Sequence, residues 1–214
     1  MVVRRSQPGD GRGRVPGVKL AVKHGLKSDS LDGVTVAIQG VGHVGAYLAE
    51  KLHAAGARLI ITDVNEAALK AVSDQTGAQI VPPEAIFDVD ADVFAPCALG
   101  GSVSADTLPR LRARVIAGGA NNQLATLEIG RQVYERGLTY APDYVINGGG
   151  IINVAAEIRG RAADGEYDGE WVSTKLARLM ETLDEVLARS ADEGRPTHEI
   201  AGEIARRRIE EARA

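Results

Sequence analysis

The sequence has little cysteine and no long apolar run, and each shortage excludes a class of protein. Cys97 is the only cysteine among 214 residues, so neither an intramolecular disulfide nor a cysteine-rich metal site can form. No apolar run is long enough to cross a membrane, and no signal-peptide core follows Met1. The net charge of −4 offers no basic surface for a nucleic acid. We therefore expect a cytoplasmic protein with neither a membrane nor a nucleic-acid partner.

Aromatic residues are also scarce, at 4%, whereas glycine is abundant, with 25 residues. This composition fits an α/β sheet with many tight turns better than an all-β sandwich. Between about residues 34 and 160, apolar runs typical of strands alternate with helical patterns, and small or polar residues follow almost every run. The alternation predicts an α/β fold, namely a doubly wound, mostly parallel sheet of the Rossmann type.

The two ends of the chain depart from this alternation. Residues 1–14 are polar, glycine-rich and basic, which predicts a flexible arm. Residues 15–214 would then form one domain, with additional C-terminal helices as an extension over residues 171–212. Within the extension apolar residues recur at helical spacing, Gly194 marks the end of one helix, and Thr197 is the predicted N-cap of the next.

The most specific local pattern is a glycine-rich turn between the first predicted strand and its helix. The turn has the pattern G-x-G-x-x-G and consists of Gly40, Val41, Gly42, His43, Val44 and Gly45. In a dinucleotide-binding unit the first glycine permits the turn, the second lets the backbone approach a pyrophosphate, and the third lets the helix pack on the strand. His43 and Val44 open the helix, whose N–H groups and dipole would face the phosphates. A solvated His43 that contacts no cofactor is equally consistent with the pattern.

A carboxylate follows the second predicted strand. Asp63 comes directly after residues 58–62, where it could accept hydrogen bonds from the adenosine ribose hydroxyls. A 2′-phosphate there would meet a like charge, and Val64, Asn65 and Glu66 provide no cation to receive it, so the sequence favours NAD over NADP. Val64 is a further candidate contact. The alternatives are a sheet with no bound nucleotide, or one that binds another Rossmann ligand such as an S-adenosyl compound.

Other chemistries have weaker support in the sequence. The four histidines lack metal-ligand spacing, and we expect no metal site. Cys97 could be a nucleophile, but no histidine or lysine lies near it in the sequence. A free cysteine more often packs as a small apolar residue.

Six segments occur in the same order as in a known family of enzymes. The segments are Lys19–Leu31 (KLAVKHGLKSDSL), Val36–Gly45 (VAIQGVGHVG), Thr62–Asn65 (TDVN), Ala95–Gly101 (APCALGG), Gly119–Leu124 (GANNQL) and Pro142–Val154 (PDYVINGGGIINV). In them the sequence resembles the leucine, phenylalanine and valine dehydrogenases of the glutamate dehydrogenase superfamily. The resemblance covers about residues 15 to 211 and corresponds to the family's carboxyl-terminal, coenzyme-binding domain.

The resemblance implies a site for NAD and a role for each matched residue. The three glycines of the turn would hold the pyrophosphate, and the carboxylate after the second strand would bind the adenosine ribose. Cys97, Ala98 and Leu99 would line the nicotinamide-ribose side. Asn121 would bond the nicotinamide carboxamide or its ribose, and Asn147 would reach across the cleft near the substrate's amino-acid head.

The resemblance also implies an activity, the reversible oxidative deamination of a branched-chain or aromatic L-amino acid to a 2-oxo acid and ammonia. The family's catalytic lysines and aspartate belong to an amino-terminal domain, and no segment here matches it. We therefore expect the isolated chain to bind NAD(H) but to be inactive, and to work with a separate substrate-binding domain or as a homo-oligomer. The alternative is a free-standing, non-catalytic module that binds or senses NAD(H).

Overall fold

The computed structural model describes residues 14–162 and 167–213. The flexible arm predicted for residues 1–14 lies outside the described residues, except that Arg14 begins the first helix. No helix in the described ranges is long and apolar enough to cross a membrane.

Six short strands form one parallel sheet. They are β1 (Thr35–Gln39), β2 (Arg58–Thr62), β3 (Gln79–Ile80), β4 (Val93–Pro96), β5 (Val115–Ile116) and β6 (Thr139–Tyr140). Their order across the sheet is β3-β2-β1-β4-β5-β6, and each neighbouring pair is parallel. The winding of the chain therefore reverses between β1 and β4. This order confirms the doubly wound Rossmann sheet that the sequence predicts.

Helices connect and cover the strands. They are α1 (Arg14–Leu26), α2 (His43–Ala54), α3 (Glu66–Thr76), α4 (Leu127–Glu135), α5 (Asp143–Ile146), α6 (Gly149–Ala162), α7 (Gly169–Glu193) and α8 (Thr197–Glu211). Two 3-10 turns, Pro83–Phe87 and Leu108–Arg110, replace helices after β3 and β4. The predicted N-cap at Thr197 is wrong, because Pro196 occupies that position and Thr197 is the first helical residue.

The sheet is buried on both faces, as is usual for a parallel sheet, except at the edge strand β3, whose two residues are exposed. Alternate residues of each strand face opposite sides, so Val36 and Ile38 belong to one apolar cluster while Ala37 belongs to the other. The first cluster packs β1, β2 and β4 against α1, α2, α3, α7 and α8. The second packs the other face against α4 and the two 3-10 turns. This core leaves the carboxyl ends of the strands as the place where loops can form a site.

Charged side chains join the two C-terminal helices. The Glu203 carboxylate of α8 accepts hydrogen bonds from Arg189 of α7 at 2.6 Å and from Arg195 of the connecting turn at 2.9 Å. These two guanidinium groups lower the pKa of Glu203 to about 2. Ion pairs thus hold α8 against α7, in addition to the apolar contacts between the two helices.

Candidate functional site

The turn after β1 contains two glycines that no other residue can replace without a shift of backbone. Gly40 has a φ of +95°, and a Cβ there would lie 2.9 Å from the backbone N of Ala98. A Cβ at Gly45 would lie 1.9 Å from the carbonyl oxygen of Gly40. The first glycine therefore lets β1 and the loop after β4 approach each other, and the third lets α2 pack on the turn.

The second glycine is different, because nothing surrounds its missing side chain. Gly42 has a φ of −63°, and a Cβ there would have no protein atom within 4 Å. It is the N-cap of α2 and provides no side-chain cap for the helix. His43 and Val44 follow as the first helical residues, the former exposed and the latter half-buried. Open space at the positive end of a helix dipole is suited to an anion such as a pyrophosphate.

Asp63 lies beside this turn and is bonded to it. Its Oδ2 accepts a hydrogen bond from the N–H of Val41 at 2.7 Å, and its Oδ1 accepts one from the N–H of Asn65 at 2.9 Å. A carboxylate has about four acceptor positions, so two remain for hydroxyl groups. The sequence predicts only that Asp63 binds hydroxyl groups. That Asp63 also anchors the glycine-rich turn is visible only in the structure. The neighbouring Val64 points into solvent, with 91% of its surface exposed.

The loop after β4 forms the other wall of the crevice at the winding reversal. The Cys97 N–H donates to the carbonyl oxygen of Gln39 at 2.7 Å, and its Sγ accepts from the N–H of Gly119 at 3.3 Å. Ala98 is exposed and lies against Gly40. Leu99 is 84% exposed, although it is apolar. Its exposure beside the crevice marks a surface that a ligand or a partner could cover.

Two asparagines from different loops meet on the far side of the crevice. Asn147, at the C-cap of α5, donates from Nδ2 to the carbonyl oxygen of Ala120 at 2.8 Å and to Oδ1 of Asn121 at 3.4 Å. The structure thus brings together two residues that are 26 positions apart in the chain. All the predicted site residues lie at the carboxyl edge of the sheet, and their contact with a dinucleotide stays a prediction.

A buried carboxylate beneath these asparagines has no counterpart among the sequence predictions. Asp143, 8% exposed, accepts hydrogen bonds from the Tyr140 hydroxyl at 2.9 Å and from the N–H of Asn122 at 2.5 Å. Burial, with the nearby Asp143 charge, raises the pKa of Tyr140 far above its ordinary value, so the hydroxyl remains a donor. The available signal was an acidic residue placed soon after a strand, as at Asp63.

A cavity of about 740 Å³ lies among α5, α6, α7 and α8. Part of its charged lining is paired, since Arg208 donates to Thr182 at 3.0 Å and lies 3.8 Å from Glu185. None of the predicted site residues lines this groove between helices. Within residues 14–162 and 167–213, no cluster of three or more histidine, cysteine or acidic residues could hold a metal ion.

Comparison with known proteins gives consistent matches. A family model described as Glutamate/Leucine/Phenylalanine/Valine dehydrogenase matches residues 9–67 and 60–214. The chain is 42% identical to leucine dehydrogenase of Geobacillus stearothermophilus over 96% of its own length and 54% of that enzyme's. It is 43% identical to leucine dehydrogenase of Bacillus subtilis (strain 168), over 92% and 52% of the two lengths.

A solved structure agrees with these sequence matches. The crystal structure of L-tryptophan dehydrogenase from Nostoc punctiforme superposes with a TM-score of 0.87 at 38% identity, over 93% of this chain and 59% of that one. The chain spans about half the length of the two leucine dehydrogenases that it matches. Since the relatives are named for leucine and for tryptophan, the family match alone does not select a substrate.

Proposed function

Because this chain belongs to the glutamate, leucine, phenylalanine and valine dehydrogenase family, we propose that it is the NAD(H)-binding part of an L-amino-acid dehydrogenase. The reaction is the reversible oxidative deamination of a branched-chain or aromatic amino acid to a 2-oxo acid and ammonia. The nicotinamide, when bound, accepts a hydride from the α-carbon of the amino acid, and the protein binds and orients both. The observation that carries the proposal is the open space at Gly42, at the start of α2 and beside the turn anchored by Asp63.

The strand order supports one direction for the dinucleotide. In a doubly wound sheet a dinucleotide crosses the strand ends where the winding reverses, with one half over each side. The adenosine half would lie toward β2, with its ribose on Asp63, and the pyrophosphate would lie over the N-terminus of α2. The nicotinamide half would lie toward β4 and β5, near Leu99, Asn121 and Asn147.

The charge at the end of β2 favours NAD over NADP. Asp63 is negative, and the three residues that follow it are Val64, Asn65 and Glu66, none of them a cation. The Asn65 side chain is already engaged, since its Oδ1 accepts the N–H of Ala68 and caps α3. A 2′-phosphate would therefore meet a carboxylate with no positive partner, whereas a free hydroxyl could donate to it.

An apolar row on α6 supports a partner next to the nicotinamide half. Ile151, Val154 and Ile158 are 78%, 54% and 61% exposed, and their spacing of three and four residues places them on one side of the helix. The three side chains form an exposed apolar surface on α6 of the kind that a globular protein usually covers. We assign this surface to contact with a substrate-binding domain or with a second copy of the chain.

The lysines of the chain support inactivity of this part alone. Deamination requires a group whose pKa lies near the working pH, typically a desolvated lysine. Lys51 pairs with Glu50, Lys70 pairs with Asp74, and Lys175 lies over the Trp171 ring. The other lysines lie on α1 or directly after it. In this proposal the catalytic lysines come from the substrate-binding domain.

Titration of the purified chain with NADH and NADPH, followed by the fluorescence of the reduced nicotinamide, tests the cofactor assignment. We expect NADH to bind with a micromolar Kd and NADPH to bind at least about tenfold more weakly, the effect of one unfavourable charge contact. Equal affinities would remove the proposed role of Asp63. Absence of binding by either nucleotide would refute the proposal as a whole.

Turnover is tested separately, with leucine, valine and phenylalanine as substrates and NAD in excess. The chain alone should show negligible formation of NADH. Robust turnover would mean that a base is present in this chain, and it would contradict the assignment of the lysines to another domain.

A further inference from the structure

The loop between β5 and α4 is folded by a buried side chain of its own. Gln123 is fully buried, and its Nε2 donates to the carbonyl oxygens of Gly118 and Ala120, at 2.9 and 3.0 Å. These bonds hold the loop in a tight curve whose outer residue, Asn121, is exposed at the crevice. Asn122 follows in a left-handed conformation, with a φ of +53°.

The N–H of Asn122 donates a hydrogen bond to the Asp143 carboxylate. The carboxylate accepts it at Oδ2, at 2.5 Å, and accepts the Tyr140 hydroxyl at Oδ1. Both oxygens are therefore used as acceptors. An aspartate can accept both bonds, whereas an asparagine has a single acceptor oxygen. The Tyr140 hydroxyl would then have to accept the asparagine N–H while it already accepts the backbone N–H of residue 143, at 3.2 Å, and its own proton would lose its acceptor.

The same residue also begins the short helix that carries Asn147. The carbonyl oxygen of Asp143 accepts the N–H of Asn147 at 2.9 Å. The Asn147 side chain then returns to the loop, where its Nδ2 donates to Ala120 and lies 3.4 Å from Asn121 Oδ1. Asp143 is thus bonded to both segments that carry the two side-chain amides, to one through its carboxylate and to the other through its backbone.

We propose that Asp143 is a positioning residue that fixes Asn121 and Asn147 relative to each other, and thereby orients the nicotinamide ring of the dinucleotide. The inference rests on the proposed NAD(H) binding, and it adds that the contribution of Asp143 is confined to the nicotinamide ring. The adenosine half would instead be bound by Asp63 and the glycine-rich turn. Among the described residues, no hydrogen bond joins Asp143 to either of them.

The test compares NADH with ADP-ribose, which has the adenosine and both phosphates but no nicotinamide. Both ligands are titrated by calorimetry into the wild-type chain and into Asp143→Asn, which preserves the side-chain shape. We expect NADH to bind about tenfold more weakly to the variant, as for the loss of one charged hydrogen bond. The affinity for ADP-ribose should change by less than about twofold, as for a distant, independent site.

Asp92→Asn is the matched control. The Asp92 carboxylate also accepts a backbone N–H, that of Thr35 at 2.8 Å, but it lies at the amino ends of the strands. This variant should leave the ratio of the NADH and ADP-ribose affinities unchanged. Tyr140→Phe gives a second route if Asp143→Asn folds poorly, because it removes one donor and introduces no new polar group. It should shift the ratio in the same direction by a smaller factor.

Amide hydrogen exchange of the ligand-free chain provides a reading that needs no nucleotide. The N–H of Asn122 should exchange faster in Asp143→Asn, and its rate should be unchanged in Asp92→Asn. If Asp143→Asn weakens NADH and ADP-ribose by the same factor, or leaves both unchanged, the inference is wrong while the proposed function stands. If the wild-type chain binds neither ligand, the proposed function fails and the inference fails with it.

Discussion

Two alanine substitutions three residues apart should separate ligand binding from folding. Gly42→Ala adds a Cβ to a position with no protein atom within 4 Å and with a φ of −63°, which alanine adopts readily. Gly45→Ala adds a Cβ that would lie 1.9 Å from the carbonyl oxygen of Gly40. The first substitution changes only the space above the helix, whereas the second forces the turn and the helix apart.

The magnitudes follow from these contacts. Alanine is a poorer N-cap than glycine by about 0.5 kcal/mol, so Gly42→Ala should lower the Tm by about 1–2 °C for a chain of this size. If a phosphate lies at Gly42, the new methyl group prevents at least one charged hydrogen bond to the helix N–H groups, and affinity for NADH should fall by about 10- to 100-fold. Gly45→Ala is an overpacking change and should cost about 3 kcal/mol or more in stability.

Thermal unfolding and NADH fluorescence titration of both variants provide the assay. The expected result is a Gly42→Ala chain that melts almost like the wild type and binds NADH poorly, beside a Gly45→Ala chain with a clearly lowered Tm. Wild-type affinity in Gly42→Ala would show that no phosphate approaches this position. The role of the open space would then be lost, and the proposed function would lose its main support.

Three further outcomes follow from other contacts. Arg189 and Arg195 lower the pKa of Glu203 from 4.5 to about 2, so the stabilising effect of this carboxylate is present above about pH 4.5 and is lost as the pH falls toward 2. Glu203→Gln should therefore flatten the dependence of Tm on pH between these values. An unchanged slope would contradict the pairing. Thr126→Ala removes the acceptor of the Ile129 N–H at the start of α4, and should cost about 1 kcal/mol with unchanged NADH affinity. Alkylation of Cys97, the single thiol, should slow when NADH is bound, as measured by mass; equal rates would place the nicotinamide half elsewhere.

The part of the site that sequence could predict is the part fixed by the backbone. A turn that requires a positive φ at Gly40 and close packing at Gly45 can be formed only by glycine, so the requirement is visible as a residue type. Asn65 is also a residue type selected by local structure, since its Oδ1 accepts the N–H of Ala68 and caps α3. At these positions the local backbone conformation restricts the residue type, so the residue type can be recognised in the sequence.

The rest depended on contacts between segments that are distant in the chain. The bond from Asn122 to Asp143 joins residues 21 positions apart, and that from Asn147 to Ala120 joins residues 27 apart. Asp143 itself resembles any acidic residue at the start of a short helix until the sheet brings β5 and β6 side by side. The error at Thr197 has a local cause, since Pro196 takes the N-cap position and leaves threonine inside the helix.

The two halves of the crevice differ in how readily their residues can be substituted. A substitution at Gly40 or Gly45 meets backbone atoms, so these two positions can change little without loss of the fold, whereas Gly42 faces open space. On the nicotinamide side, Asn121 and Asn147 are held by hydrogen bonds between side chains and loops, and the neighbouring Leu99 and Ile151 are exposed. Exposed residues can change at little cost in stability. The exposed residues at this edge, which faces the substrate in the proposed function, are therefore the part of the described structure that can be altered at least cost to the fold.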